Sequence, residues 1–267
     1  MEALYGEVVG TRWLTPRYVR VVLGGEGLAG FTPTPFADEY VNALFVPQGA
    51  PYSVPFDVDA ARAGDPAHRP CGRRFTIRSW DPATRQVTID FVAHGDVGFA
   101  GRWASRARPG DRLQIIGPTG AYAPDPAADW HLLVGDESAL PAIARVLEAL
   151  PTGRRALAAV LVDDAACELP FDCPGDLALQ WVHRHAAPED PDLLLRAVEQ
   201  LDFPSGRVDV FVHGEAYEVR AVRKHLLADR GVPRKPVSIS PYWRRGHTDE
   251  AWREVKRTWL AETEQDV

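Results

Sequence analysis

RRFTIRSW, residues 73–80, places three arginines within six positions around an aromatic and a hydroxyl. Its β-branched and aromatic residues and the flanking turn residues make it a strand. A half-buried strand alternates apolar and polar residues, and one arginine is enough for its solvated face. Three arginines point either to a very wet edge strand or to a strand that holds something anionic.

Five more runs of the same texture accompany it: LYGEVVGTRWL (4–14), YVRVVLGG (18–25), EYVNALFVP (39–47), QVTIDFVAHG (86–95) and DRLQIIGP (111–118). Six short β-rich runs separated by Gly/Pro turns predict a small antiparallel barrel rather than a sandwich. PYSVPFDVDAARAGDPAHRP (51–70) reads as an irregular loop, and FAGRWASRA (99–107) as a short helix. The texture changes at YAPDPAADW (122–130). Beyond it strands alternate with helices: WHLLVGDE, SALPAIARVLEAL, RRALAAVLVDD, LALQWVHRH, PDLLLRAVEQL, RVDVFVHGE, YEVRAVRKHLLADRG, VSISPYWRRG and TDEAWREVKRTWLAETEQ. Such alternation predicts a mostly parallel sheet. The expected organisation is a six-stranded antiparallel barrel over residues 1–124 and an α/β domain over 125–267.

Composition narrows the classes. Thirty Lys and Arg stand against 37 Asp and Glu, a net charge of −7, which disfavours binding to the nucleic-acid phosphate backbone. No run approaches 18 consecutive apolar residues, so no membrane span is expected. The N-terminus lacks the pattern of a secretory signal. Three cysteines, Cys71, Cys167 and Cys173, contain no C-x-x-C pair and argue against a disulfide framework, a zinc ribbon or an iron–sulfur cluster. A soluble, cytoplasmic protein is expected, and without long heptads, a monomer.

Two stretches carry candidate chemistry. A strand ending in His94-Gly95, then Gly98 and a helix from Ala100 through Trp103, forms a glycine-rich turn whose N–H groups suit a phosphate. GDESALPAI (135–143) sits at a strand-to-helix turn, where α/β sheets bind ligands at their carboxyl edge. It is not G-x-G-x-x-G, so a tightly held dinucleotide in a standard loop is not indicated. Its plain alternative is a helix capped by Asp136 or Ser138, with Pro141 in the first turn. His183 and His185 alternate along a strand without a third ligand and read as structural.

Residues 73–80 together with HGDVGFAGRWASRARPGD, GDESALPAI and PYWRRGHTDEAWREVK resemble, in order, the motifs of the siderophore-interacting proteins, a branch of the ferredoxin-reductase-like flavoproteins. The resemblance spans most of the chain. Departures are small: Phe75 stands for a tyrosine, Phe99 for a proline and Ser138 for a threonine. It implies an FAD-dependent ferric-siderophore reductase in which NAD(P)H or ferredoxin supplies electrons and Fe(III) in the bound chelate is reduced to Fe(II). The flavin signature R-x-[YF]-[ST] falls on Arg73, Phe75 and Thr76. Arg73 is suited to the cofactor pyrophosphate. By the same resemblance Arg78, Asp90, Val92, His94, Gly98, Ala100, Trp103, Asp136, Ser138, Tyr242 and Trp243 join the FAD site. Gly135, Glu137, Gly214 and Glu215 lie on the nicotinamide side.

The tail from 230 to 257 holds eight basic and three acidic side chains in an acidic chain. Arg253, Lys256 and Arg257 share one helix face, a candidate surface for an anionic ferric chelate such as a catecholate; the plain alternative is a solvated face. Asp163 and Asp164 at a strand end would repel a 2′-phosphate and favour NADH over NADPH. Competing functions are a flavin reductase for another acceptor and a siderophore-binding protein without turnover. No resident metal is implied, since the iron is substrate.

Overall fold

Period-two alternation builds the N-terminal half. The computed structural model describes residues 3–93, 98–188, 190–235 and 237–266, in two units, Met1–Ala123 and Pro124–Val267. Strands β1 (Leu4–Thr15), β2 (Tyr18–Gly24), β3 (Tyr40–Phe45), β4 (Cys71–Asp81), β5 (Gln86–Val92) and β6 (Arg112–Thr119) close into one barrel in the order β1-β2-β5-β4-β3-β6. All six pairings are antiparallel. In β5, Val87, Ile89 and Phe91 point inward with no exposed surface. Between them Asp90, paired in register with Arg20 on β2, binds that guanidinium through both oxygens at 2.7 Å. The barrel core adds Leu23, Leu28, Val41, Ile77, Leu113 and Ile115.

The 51–70 stretch is not wholly irregular. Asp57 accepts from Asp59 N and Ala60 N and starts helix α1 (Val58–Ala63), and Asp65 accepts from Ala67 N to start a 3₁₀ turn over Pro66–His68. Those aspartates are cap signals that the prolines around them obscured. Helix α2 (Ala100–Arg106) closes against the barrel through Trp103, whose ring lies 5.8 Å from Phe45 and 5.9 Å from Phe91.

The second unit is a five-stranded sheet. Its strands are β7 (Trp130–Asp136), β8 (Arg155–Val162), β9 (Asp176–His183), β10 (Val208–Glu215) and β11 (Ser238–Trp243). Their order is β11-β10-β7-β8-β9 and every pairing is parallel. β7 and β8 read as continuous apolar runs because helices cover both faces of the sheet; in β7 every residue is buried. Helices α3 (Leu140–Ala149), α4 (Leu193–Glu199) and α5 (Ala216–Lys224) pack on β7, on β8 with β9, and on β10 with β11. A π turn, His225–Asp229, extends α5. Helix α6 (Asp249–Glu264) buries Trp252 and Trp259, whose rings meet edge to face at 5.5 Å.

α3 starts at Leu140 with Ala139 as its N-cap residue and Pro141 in the first turn. Neither Asp136 nor Ser138 caps it, because Asp136 still belongs to β7 and binds Ser138 instead. No helix among the described residues is long and apolar enough to cross a membrane.

Phe91→Ala should cost about 3–5 kcal/mol of barrel stability, because it empties the centre of the Phe45, Phe75 and Trp103 cluster. A denaturant midpoint within experimental error of the parent would show that this cluster does not hold the barrel.

Candidate functional site

On β4 the signature residues divide between two faces. Arg73 stands opposite Ala43 and Phe75 opposite Val41, both without exposed surface, whereas Arg74 and Thr76 stand opposite Asn42 and Tyr40. The Phe75 ring packs 4.4 Å from Phe91 and 6.4 Å from Phe45. Arg73 donates to the Gly72 carbonyl at 2.9 Å and lies 6.0 Å from the Phe99 ring centroid. Arg74, exposed, lies 5.6 Å from the Tyr40 ring. Arg78 sits in a register shift between Ile77 and Ser79. Asp90 is engaged by Arg20, and Val92 ends β5. Gly98, with open space where a side chain would begin, precedes Ala100, the first residue of α2. His94 lies outside the described residues.

Three guanidinium groups and the Thr76 hydroxyl on one strand suit a pyrophosphate and its neighbouring hydroxyls. Beside them Asn42 Oδ1 is a buried acceptor without a partner, which a ligand donor would satisfy. This donor and acceptor set fits FAD.

In the second unit the strand order β9-β8-β7-β10-β11 places a topological switch point between β7 and β10, where open α/β sheets bind ligands. Asp136, with no exposed surface, occupies that point. Its Oδ1 accepts from Ser138 N at 2.8 Å and from the Ser138 hydroxyl. Its Oδ2 accepts from Glu215 N at 2.9 Å and from the Trp243 indole N–H at 2.7 Å. Four donors therefore converge on one carboxylate, two from Ser138 in the turn after β7, one from the end of β10 and one from the end of β11. Both neighbouring glycines are required for this closeness. A Cβ on Gly135 would stand 2.5 Å from the His213 carbonyl oxygen. One on Gly214, whose φ is +150°, would meet the Asp136 carboxylate at 2.9 Å.

Acidic groups crowd the same edge. Burial and then the charge of Glu137 raise the Asp136 carboxyl to about 6, so it is a carboxylate at neutral pH, as its four donors require. Glu215 caps α5, accepting from Tyr217 N at 2.7 Å and Glu218 N at 3.2 Å, and its other oxygen accepts from Arg245 N at 2.9 Å. Glu218 accepts from the Arg245 guanidinium at 3.2 Å, and its second oxygen is buried without a partner. Burial first, then Asp136 and Glu215, push Glu218 up to about 8 against the pull of Arg184 and Arg245, so it holds its proton at neutral pH. Glu137 forms a two-point pair with Arg184 at 2.8 and 3.0 Å, and Arg184 also reaches Asp163 at 2.6 Å. Asp164 caps a 3₁₀ turn through Ala166 N.

His213 is buried between Phe211 and Tyr242, at ring distances of 4.0 and 4.8 Å, and meets the Ser238 hydroxyl at 2.9 Å. Burial and then Lys256 lower it to about 3, which keeps it neutral. His183 pairs with Glu168 at 2.8 Å, and His185 lies in a 3₁₀ turn. On α6, Arg253 is bound by Asp249 at 2.7 Å and Lys256 donates to the Pro241 carbonyl at 2.6 Å, while Arg257 is exposed.

Sequence reasoning named Asp136, Ser138, Glu215 and Trp243 for the cofactor and nicotinamide sides, and the structure brings these four together in one hydrogen-bonded group. It passed over Arg184, Glu218 and the contrast between Arg244 and Arg245. An arginine just beyond a strand of the acidic edge was the available signal for Arg184. Nothing in the one-dimensional pattern pointed to Glu218.

A closed six-stranded barrel followed by a parallel sheet of this order is the architecture of ferredoxin-reductase-like flavoproteins. The chain belongs to the siderophore-interacting protein family: residues 7–122 match its siderophore-interacting FAD-binding domain and residues 128–246 its siderophore-interacting protein domain. The ferric vibriobactin reductase ViuB of Vibrio cholerae is 33% identical over 96% of this chain and 94% of its own length. The NADPH-dependent ferric-chelate reductase of Escherichia coli is 31% identical over 85% of this chain and 87% of its own. A siderophore utilization protein from T. fusca has a crystal structure that superposes with a TM-score of 0.78 at 40% identity, covering 93% of this chain and 95% of that one.

Asp136→Asn should destabilise the second unit by about 2–3 kcal/mol, since an amide nitrogen would face two donors whichever way it turns. Thermal unfolding measures this, and an unchanged midpoint would show that the four bonds are not holding the sheet edge. Glu218 titrates from an ordinary 4.5 to about 8. The native state thus keeps a proton that the unfolded chain has lost between those values, and stability falls as pH rises across that window. Glu218→Gln should remove this slope, its melting temperature gaining on the parent's from pH 5 to pH 8 (roughly the window between the two values). Parallel melting curves would sink the assignment.

Proposed function

We propose that this chain is an FAD-dependent ferric-siderophore reductase that takes electrons from NAD(P)H, reduces the iron of a bound siderophore and so releases Fe(II) in the cytoplasm. The observation that carries this is the arginine-rich strand β4 with the unpartnered Asn42 acceptor beside it, inside a stretch that matches the family's FAD-binding domain. The names of two relatives, a ferric vibriobactin reductase and a ferric-chelate reductase, supply the reaction class. FAD, when bound, supplies the exchange between a two-electron donor and a one-electron acceptor.

The chain's own part is positioning and charge. Arg73 neutralises the pyrophosphate, and Thr76 offers a hydroxyl to the cofactor. Phe75 and Trp103, both partly buried, brace this strand and helix against the barrel core. The Asp136 hub fixes Trp243 through its indole. Buried acids tie the carboxyl edge together, and Glu218 carries its proton there. The iron is substrate and needs no protein ligand.

For the donor, Arg184 holds Asp163 at 2.6 Å while also pairing with Glu137, so the repulsion expected of Asp163 and Asp164 for a 2′-phosphate is lessened but not removed at that strand end. An NADPH-dependent relative accords with this. Both nicotinamides are expected to serve.

An anaerobic absorbance spectrum of the protein should show a flavin that bleaches with NADPH or NADH and recovers as Fe(II) appears when ferric siderophore and an Fe(II) trap are added. Bleaching only by reduced ferredoxin would change the donor and keep the reductase. No flavin after reconstitution with FAD would overturn the proposal. Arg73→Ala should lower FAD affinity by on the order of tenfold or more, the loss of one charge-assisted contact. Full FAD retention in that variant would remove Arg73 from the cofactor.

A further inference from the structure

The adjacent arginines of the stretch PYWRRG have different partners. Arg245 is held by structural hydrogen bonds: its backbone N–H goes to Glu215 and its guanidinium to the protonated carboxyl of Glu218. Arg244 has no carboxylate partner among the described residues. Its guanidinium lies 5.2 Å from the ring centroid of Tyr217 and 5.9 Å from that of Trp252, and it donates to the Tyr217 hydroxyl at 2.9 Å. Two aromatic rings thus fix one cation in place. Trp252 is 2% exposed and rigid, while Tyr217 is 51% exposed. Arg244 follows β11 directly, at the carboxyl edge where Asp136 gathers the strand ends. A charged fork held still costs little entropy on meeting an anion.

We propose that Arg244, with Tyr217 as its exposed aromatic floor, receives an anionic aromatic chelating group of the ferric siderophore. Arg244 is then the specificity-determining cation in place of the helix residues Arg253 and Lys256. This rests on the reductase function proposed above. Two of the three helix cations are committed elsewhere, Arg253 to Asp249 and Lys256 to the Pro241 carbonyl, and Arg257 is exposed with no aromatic ring to hold it in place among the described residues. A dinucleotide phosphate is the weaker match. Such phosphates are held by free backbone N–H groups at a helix start, and at the start of α5 those of Tyr217 and Glu218 are already taken by the Glu215 carboxylate. A catecholate offers what remains: an oxyanion for the guanidinium edge and a ring for Tyr217.

The test uses the FAD-loaded protein and redox-inert gallium(III) complexes, one an anionic tris-catecholate and one a neutral trihydroxamate, with binding followed by calorimetry. Arg244→Gln should weaken the tris-catecholate complex on the order of thirtyfold and leave the neutral complex unchanged. Arg244→Lys, which keeps the charge without the planar fork, should fall between and carries the test if the glutamine variant does not fold. Equal tris-catecholate affinity in parent and variant would overturn the proposal, as would equal losses for both complexes or a loss confined to NADPH. A parent that binds neither complex and reduces no ferric chelate would overturn the reductase function itself. A parent that reduces the ferric tris-catecholate while the variant binds its gallium counterpart equally well would overturn only the role of Arg244.

Discussion

One carboxylate organises the second unit. Asp136 accepts four hydrogen bonds, two from Ser138 in the turn that follows its own strand and one each from the ends of β10 and β11, and an acceptor-only group with no exposed surface tolerates that position only while all four donors are present. This demand explains several features that look separate in the chain. Glycines flank it on β7 and β10 because any side chain would strike the carboxylate or the strand beside it. A serine follows two residues later because its hydroxyl and N–H both turn back. A tryptophan stands over a hundred residues away because an indole donates once and carries no acceptor to compete.

Around that hub the acidic edge is graded. Asp136 is fully donated to, Glu215 caps a helix, and Glu137 and Asp163 share Arg184. Glu218 receives one long contact and takes up a proton instead. A net negative region can therefore be assembled at a sheet edge without an uncompensated charge inside it. The family's glycine-aspartate-glutamate run and its tyrosine-tryptophan-arginine-arginine run are bonded to each other here.

The architecture was legible because both halves obey simple periods. Val87, Ile89 and Phe91 alternate, and the apolar runs of β7 and β8 announce a sheet covered on both faces. The boundaries of α1 and the 3₁₀ turn were not legible, since Asp57 and Asp65 act as caps amid prolines that suggest loop. Roles within the site were harder still. Asp136, Ser138 and Trp243 were singled out by their motifs, yet spacing cannot show that they bond to one another. Arg253 and Lys256 share a face in sequence, and only coordinates show that Asp249 and the Pro241 carbonyl hold them.

The pairing of β10 with β11 slips by one residue: Gly214 stands opposite Pro241, but Glu215 opposite Trp243. Tyr242 is the residue left over. It packs on His213 while its neighbour reaches Asp136. The slip works as a phase setting for everything downstream. With the bulge retained, a one-residue deletion at Tyr242 would leave Trp243 as the extra residue, bring Arg244 to its place opposite Glu215 and rotate the start of α6 with it. Chain length between Pro241 and Thr248 is therefore under tighter constraint than its exposed, glycine-containing composition suggests. Variation in this family should fall on side chains there before it falls on residue count.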